Sequence, residues 1–192
     1  MIHLVLASSS IYRKKQLQQL QLNFSVIAPF IDETPLANET PKQTALRLSI
    51  EKARSVGLQH SNTLVIGCDQ VASFEGKPLG KPLSHENAVK QLRIMQGKEI
   101  IFHSGICLFN AVTGNIQSSV VDIQVKFRSL SDQQIENYLV REQPYDCAGS
   151  AKSEGLGVAL LDYIRGDDPN ALIGLPLIQL VTMLEKEGIK IV

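Results

Sequence analysis

Ser8-Ser9-Ser10-Ile11-Tyr12-Arg13-Lys14 gathers hydroxyls and two cations into one short segment, directly after the apolar run Ile2 to Ala7. If a buried strand ends before Ser8 and a helix starts near Ile11, these groups and the first backbone N–H groups of the helix converge at the positive end of its dipole. Such a site binds a polyanion without a glycine-rich loop, and Ser8, Ser10, Arg13 and Lys14 are its candidate ligands. The plainer alternative is a serine N-cap followed by solvated basic residues. Asp32-Glu33 lies in a proline-rich stretch and Asp69 near the end of a second apolar run. Carboxylates at a sheet edge hold divalent metals or activate water, so together with the anion site they suggest metal-assisted phosphate chemistry. Taken singly, each reads more readily as a turn former or a solvated charge.

Lys81, confined by Gly80 and Pro82, is a candidate for neutralising phosphate oxygens. Spacing alone makes Lys52 a surface lysine on a helix, paired with Glu51 or solvated. Small residues surround Lys152 and Glu154 between Gly149 and Gly155, as a backbone that approaches a ligand requires, although a surface loop would look the same. His3, His60, His85 and His103 lack metal-ligand spacing, and neither Ser104 nor Ser150 has an evident histidine base, which weighs against zinc and triad chemistry.

The elements that would position these residues alternate. A strand over Ile2–Ala7, a helix from about Ile11 and a strand over 24–28 form one unit; a loop with three prolines then runs from Pro29 to Pro41. Pro41 opens a helix with an apolar stripe at Leu46, Ile50 and Ala53 that ends near Gly57. Thr63–Gly67 reads as a buried strand with Cys68-Asp69-Gln70 at its end. Ser84 caps a helix through Ala88, Leu92 and Met95, stopping at Gly97. Strands over 100–109 and 116–127 flank Thr113-Gly114-Asn115 as an antiparallel pair. Ser131 with Gln134 is a capping box; a strand over 158–164 and a helix from Pro176 to Gly188 follow. The pattern predicts an α/β fold with a mixed sheet flanked by helices, in one domain spanning 1–192.

Lysines plus arginines number 19, as do aspartates plus glutamates, so no overall positive field favours nucleic acid or an anionic membrane. The first residues lack a signal peptide's basic n-region and long apolar core, and no apolar run reaches membrane-spanning length. The three cysteines, Cys68, Cys107 and Cys147, are scattered. That argues against a disulfide framework and for a reducing cytoplasm, with the cysteines in the core.

The chain resembles the Maf family of nucleotide pyrophosphatases. The resemblance rests on Leu6-Ala-Ser-Ser-Ser-Ile-Tyr-Arg13, Asp32-Glu-Thr-Pro35, Glu51-Lys-Ala53, Gly67-Cys-Asp-Gln70, Gly80-Lys-Pro82, His103-Ser-Gly105, Tyr145-Asp-Cys-Ala-Gly149, Ser153-Glu-Gly155, and Asp168-Pro-Asn170 through Gly174-Leu-Pro176. These segments span nearly the whole chain in the family's order. The resemblance implies an elongated, two-lobed fold with a deep cleft, like that of inosine triphosphate pyrophosphatase, and often a homodimer. It implies hydrolysis of a nucleoside triphosphate to the monophosphate and pyrophosphate with Mg2+, Mn2+ or Co2+. Asp69 would then accept the proton of the attacking water, Ser8, Arg13, Lys52 and Lys81 would contact phosphate, and Glu33 would be a metal or water partner, sharing any metal with Asp69.

Family specificity positions map to Tyr12, Gln70 and Glu154, and this combination is similar to the subgroup that prefers 7-methyl-GTP. A cationic N7-methylated ring favours a carboxylate at its edge and an aromatic at its face. The alternatives are a dTTP/UTP or broad-range pyrophosphatase, against which Gln70 and Glu154 argue, and a non-catalytic nucleotide-binding regulator of septum formation. Three positions depart from the subgroup: Tyr12 stands for a frequent tryptophan, Lys14 for a second arginine, and Cys68 for a common serine or threonine.

Overall fold

A computed structural model describes residues 2–192 of the chain; Met1, where the signal-peptide reading began, lies outside them. The elements run β1 (His3–Ala7), α1 (Ile11–Gln18), β2 (Phe24–Ile27), α2 (Pro41–Gly57), β3 (Thr63–Phe74), β4 (Lys77–Leu79) and α3 (His85–Met95), then β5 (Glu99–Asn110), β6 (Ile116–Phe127), α4 (Asp132–Glu142), β7 (Leu161–Arg165) and α5 (Leu177–Lys186). One seven-stranded sheet has the order β2-β1-β3-β5-β6-β7, with β4 also on β3. The β2, β1 and β3 strands are parallel, and the remaining pairings are antiparallel. This is the mixed α/β sheet expected from the alternation of elements.

Local chemistry sets the boundaries. The Ser10 side chain accepts from Arg13 N, Ser84 from Asn87 N, and Thr40 with Gln43 and Ser131 with Gln134 form capping boxes, so the starts of α1 to α4 each find a side-chain partner for an otherwise unpaired N–H group. Between β3 and β4, Glu75 and Gly76 both take positive φ, at 49° and 76°, which suits a two-residue hairpin.

Two expected boundaries shift. β3 does not end at Gly67: β5 pairs with it from Leu64 to Ser73, and that unbroken ladder carries the strand well past Asp69. The last strand starts at Leu161, because Lys152 O accepts from Gly155 N and Gly157 N and the chain then coils in a 3-10 segment over Leu156–Leu160. An apolar run alone cannot separate those two outcomes.

Strand alternation sends successive side chains to opposite faces. On one face Val5, Ala7 and Val65 pack with Ala53 and Val56 of α2. On the other, Leu4, Leu6, Leu64 and Ile66 pack with Leu17 of α1 and Leu180 and Leu184 of α5. A separate core joins Phe102, Ile123, Val125 and Phe127 to Ala88 and Leu92 of α3 and Ile135 and Leu139 of α4. Glycine brings α2 directly onto the sheet: a Cβ on Gly67 would lie 2.1 Å from Ser49 O, and one on Gly105 2.1 Å from Ala45 O.

Candidate active site

β1 pairs with β3 only as far as Gly67, and β4 joins β3 only from Ala72. Between those limits one edge of β3 is open, and Asp69 sits there with its side chain toward α2. The close approach permitted by Gly67 and Gly105 brings Lys52 of α2 onto it. Lys52 Nζ lies 2.6 Å from Asp69 Oδ1 and 2.9 Å from Glu33 Oε1. Lys52 and Asp69 are 5% and 7% exposed, so the pair is withdrawn from water. Burial pushes the Asp69 carboxyl above the usual carboxylate range, while Lys52, then Arg13, pull it back.

The surface lysine expected from spacing is therefore corrected. Lys52 points into the sheet, and Glu51 pairs with Arg47 instead, at 3.1 Å. Arg47 also clamps the loop that carries Glu33. It donates to both oxygens of Glu39 and to Thr34 O, and its hydrogen bond holds the Glu39 carboxyl down at about 2. Asp32 is the turn former: Thr34 N donates to its Oδ1 at 2.9 Å.

Around the open edge lies the serine loop. Ser8 Oγ accepts from Ser10 N and Ser10 Oγ from Arg13 N, leaving each O–H hydrogen to donate outward. Arg13 donates through Nη1 to Cys68 O at 2.9 Å and through Nε to Gly174 O at 3.0 Å. It thus satisfies a carbonyl of the open edge beside Asp69 and fixes the serine loop there. The capping reading of the sequence describes this loop.

The opposite face of β3 borders a cavity of about 360 Å3. Ser8, Ser9, Ser10, Arg13 and Lys81 line it; Phe102, Val125, Phe127 and Leu172 supply apolar surface; Tyr12, Gln70, Asp146, Cys147 and Glu154 complete it. Gln70 Nε2 faces Ala171 O at 2.8 Å, Leu172 O at 2.9 Å and Ser104 Oγ at 3.0 Å. Carbonyl oxygens only accept, so the nitrogen must face them and the amide oxygen is what Gln70 has left to offer a ligand.

Of the residues proposed from sequence, Ser8, Ser10, Tyr12, Arg13, Gln70, Lys81 and Glu154 line the cavity. Asp69, Lys52 and Glu33 form the cluster on the other face. Lys14 is exposed on α1 and joins neither group, since one helical step turns it away from Arg13. Cys68 and Cys107 are buried in their strands as expected. Cys147 instead lines the cavity, and burial pushes its thiol up to about 12.

Sequence reasoning missed the supports. Buried Asp168 accepts from Asn170 N at 3.1 Å and from Ile178 N at 2.7 Å, fastening the turn that holds Gln70 to the start of α5. It also missed a chain in which Ser73 Oγ lies 3.0 Å from His103 Nε2, His103 Nδ1 2.8 Å from Asp122 Oδ1, and Lys42 Nζ 2.8 Å from Asp122 Oδ2. Ser73 is 4% exposed and outside the cavity, so this chain ties β3, β5 and β6 to the start of α2. Neither network has a signature in sequence spacing.

A model of the Maf-like protein family matches residues 3–187. The chain belongs to the Maf family. The 7-methyl-GTP pyrophosphatase of Methylobacillus flagellatus is 58% identical to this Maf chain over 189 residues, 98% of both proteins. The protein of the same name from Nitrosospira multiformis is 57% identical over 98% of this chain and 96% of its own length. That of Nitrosococcus oceani is 54% identical over 96% and 93%.

Proposed function

We propose that this Maf protein hydrolyses 7-methyl-GTP to 7-methyl-GMP and pyrophosphate. The observation that carries the reading is the Lys52-bound Asp69 carboxylate at the open edge of β3, reached from the serine loop and Arg13 and backed by a cavity holding Tyr12, Gln70 and Glu154. Sequence identity above 50% to proteins named 7-methyl-GTP pyrophosphatase supports the same substrate. Among the described residues no helix is long and apolar enough to cross a membrane. The free thiols of Cys68, Cys107 and Cys147 suit the cytoplasm, which is part of the proposal.

In this reading Ser8, Ser10, Arg13 and Lys81 hold the phosphate tail. Asp69 takes a proton from water as its oxygen bonds to the α-phosphorus, the bond from that phosphorus to the α–β bridging oxygen breaks, and pyrophosphate leaves. Burial makes Asp69 a stronger proton acceptor than a solvated aspartate, while the Lys52 ammonium favours its ionised form. Tyr12 and Glu154 favour a positively charged ring. Gln70 Oε1 complements N–H donors on a guanine edge.

A divalent cation, Mg2+, Mn2+ or Co2+, belongs to this proposal. Lys52 engages one oxygen each of Asp69 and Glu33, so Asp69 Oδ2 and Glu33 Oε2 remain as hard donors, which fits an ion that takes one or two carboxylates and completes its shell with phosphate and water. Among the described residues no group of three or more His, Cys, Asp or Glu forms a protein-only cage. Bound there, the ion would screen phosphate charge. Pyrophosphate release from 7-methyl-GTP, GTP, dTTP and UTP, with and without metal, tests the reading. Preference for 7-methyl-GTP is expected; a faster reaction with dTTP or UTP would remove the substrate assignment.

A further inference from the structure

Lys152 occupies a position that the proposed substrate makes consequential. Its Nζ lies 5.7 Å from the centroid of the Tyr12 ring, the aromatic surface on which a cationic base would rest. The same Nζ is 2.7 Å from Glu142 Oε1, with the two side chains 25% and 14% exposed. Tyr12 therefore already has a cation beside it, and that cation is neutralised by a carboxylate on α4.

The surrounding backbone gives the pair little room to move. Lys152 N donates to Tyr138 Oη at 3.1 Å and Leu156 N to Glu142 Oε2 at 2.7 Å. Lys152 O accepts from Gly155 N at 3.1 Å and Gly157 N at 3.0 Å. A Cβ on Gly157 would come within 2.5 Å of Lys152 O, so that glycine is needed for the coil. The hydrogen bond that Lys152 donates to Glu142 raises its ammonium to about 12, keeping it charged wherever the enzyme would work.

We propose that Lys152 is a further specificity-determining residue, acting against a positively charged base at Tyr12, and that Glu142 sets how strongly it acts. An unneutralised ammonium this close would repel N7-methylated guanine while leaving a neutral base nearly unaffected. With Glu142 in place, the Lys152 charge is offset, and the carboxylates of the cavity wall, Asp146 and Glu154, act on a cationic base without its opposition. This inference rests on the reading that the substrate's base lies against Tyr12.

The test is the ratio of kcat/KM for 7-methyl-GTP to that for GTP, which cancels any loss common to both substrates. Lys152→Gln is expected to raise the ratio about threefold, and Glu142→Gln to lower it by a similar factor. The double variant should return to the Lys152→Gln level, because Glu142 then has no charge to neutralise. Lys152→Met, which keeps a long apolar stem without the charge, should reproduce Lys152→Gln if that variant folds poorly. An unchanged ratio in both Lys152 variants overturns the proposal, as does a double variant that stays at the Glu142→Gln level. Wild-type preference for a pyrimidine would instead overturn the proposed substrate, and the 7-methyl-GTP to GTP ratio would still report on Lys152.

Discussion

Asp69 and Gln70 are adjacent in the chain but serve opposite faces of β3. Asp69 turns toward α2, into a buried ion pair with Lys52 that Glu33 extends. Gln70 turns toward the cavity, its amide nitrogen held by the carbonyls of Ala171 and Leu172. One face thus holds an ionic cluster suited to proton transfer; the other offers the serine loop, Arg13 and Lys81 together with apolar wall, an aromatic ring and carboxylates suited to a base. On the proposed reading, the nucleotide reaches from one to the other around the edge that β1 leaves open. Chemistry and base selection then become separable by a single step along the strand.

The largest test of that separation is Asp69→Asn. Losing the proton acceptor should cut turnover about 10²–10⁴-fold for every base alike, measured as pyrophosphate release. Folding should hold within about 1 kcal/mol by denaturant unfolding. The sign follows from the raised carboxyl: the folded state favours protonated Asp69, so the stability this provides is fully present below the ordinary aspartate value and is lost as pH rises through the folded value. The asparagine variant forgoes that loss at neutral pH. Wild-type turnover should rise with pH through the same raised value, and a flat profile across the acid range would remove Asp69 as the base.

Gly67→Ala comes next. Its methyl group would press on Ser49 and Ala53 of α2 and cost about 1–3 kcal/mol. By moving Lys52 off Asp69 it should also slow hydrolysis of all substrates without altering their rank. On the cavity face, Gln70→Ala should cost about 3–10-fold in kcat/KM for guanine nucleotides through one lost hydrogen bond, with pyrimidine nucleotides less affected. Glu154→Gln should have the smallest effect, a loss of about two- to fivefold confined to 7-methyl-GTP, since an exposed carboxylate contributes modestly. If Gln70→Ala and Gly67→Ala depress all substrates equally, the two faces are not functionally distinct.

Much of the frame was readable in advance because its signals are local. Ser10, Pro41, Ser84 and the Ser131–Gln134 pair act within one helical turn of their own positions, so they mark helix starts in any context. The serine loop, Tyr12, Arg13, Lys81 and Glu154 could likewise be proposed from residue type and family resemblance. Lys14 stands apart from the cavity because equal charge does not imply equal direction on a helix. Lys52 misled because nothing beside it in the chain reveals that Gly67 and Gly105, on two different strands, let α2 settle onto the sheet.

Taken by itself, the sequence determined the alternation of strands and helices, the caps that bound them and the kinds of groups available for phosphate chemistry, all effects decided within a few residues. Tertiary structure alone decided that Lys52 is buried against Asp69, that the edge of β3 lies open where β1 stops, and that the carbonyls of residues 171 and 172 orient Gln70. Those outcomes depend on contacts between residues 17 to about 100 positions apart, where strand register and close packing, rather than local preference, set which groups meet.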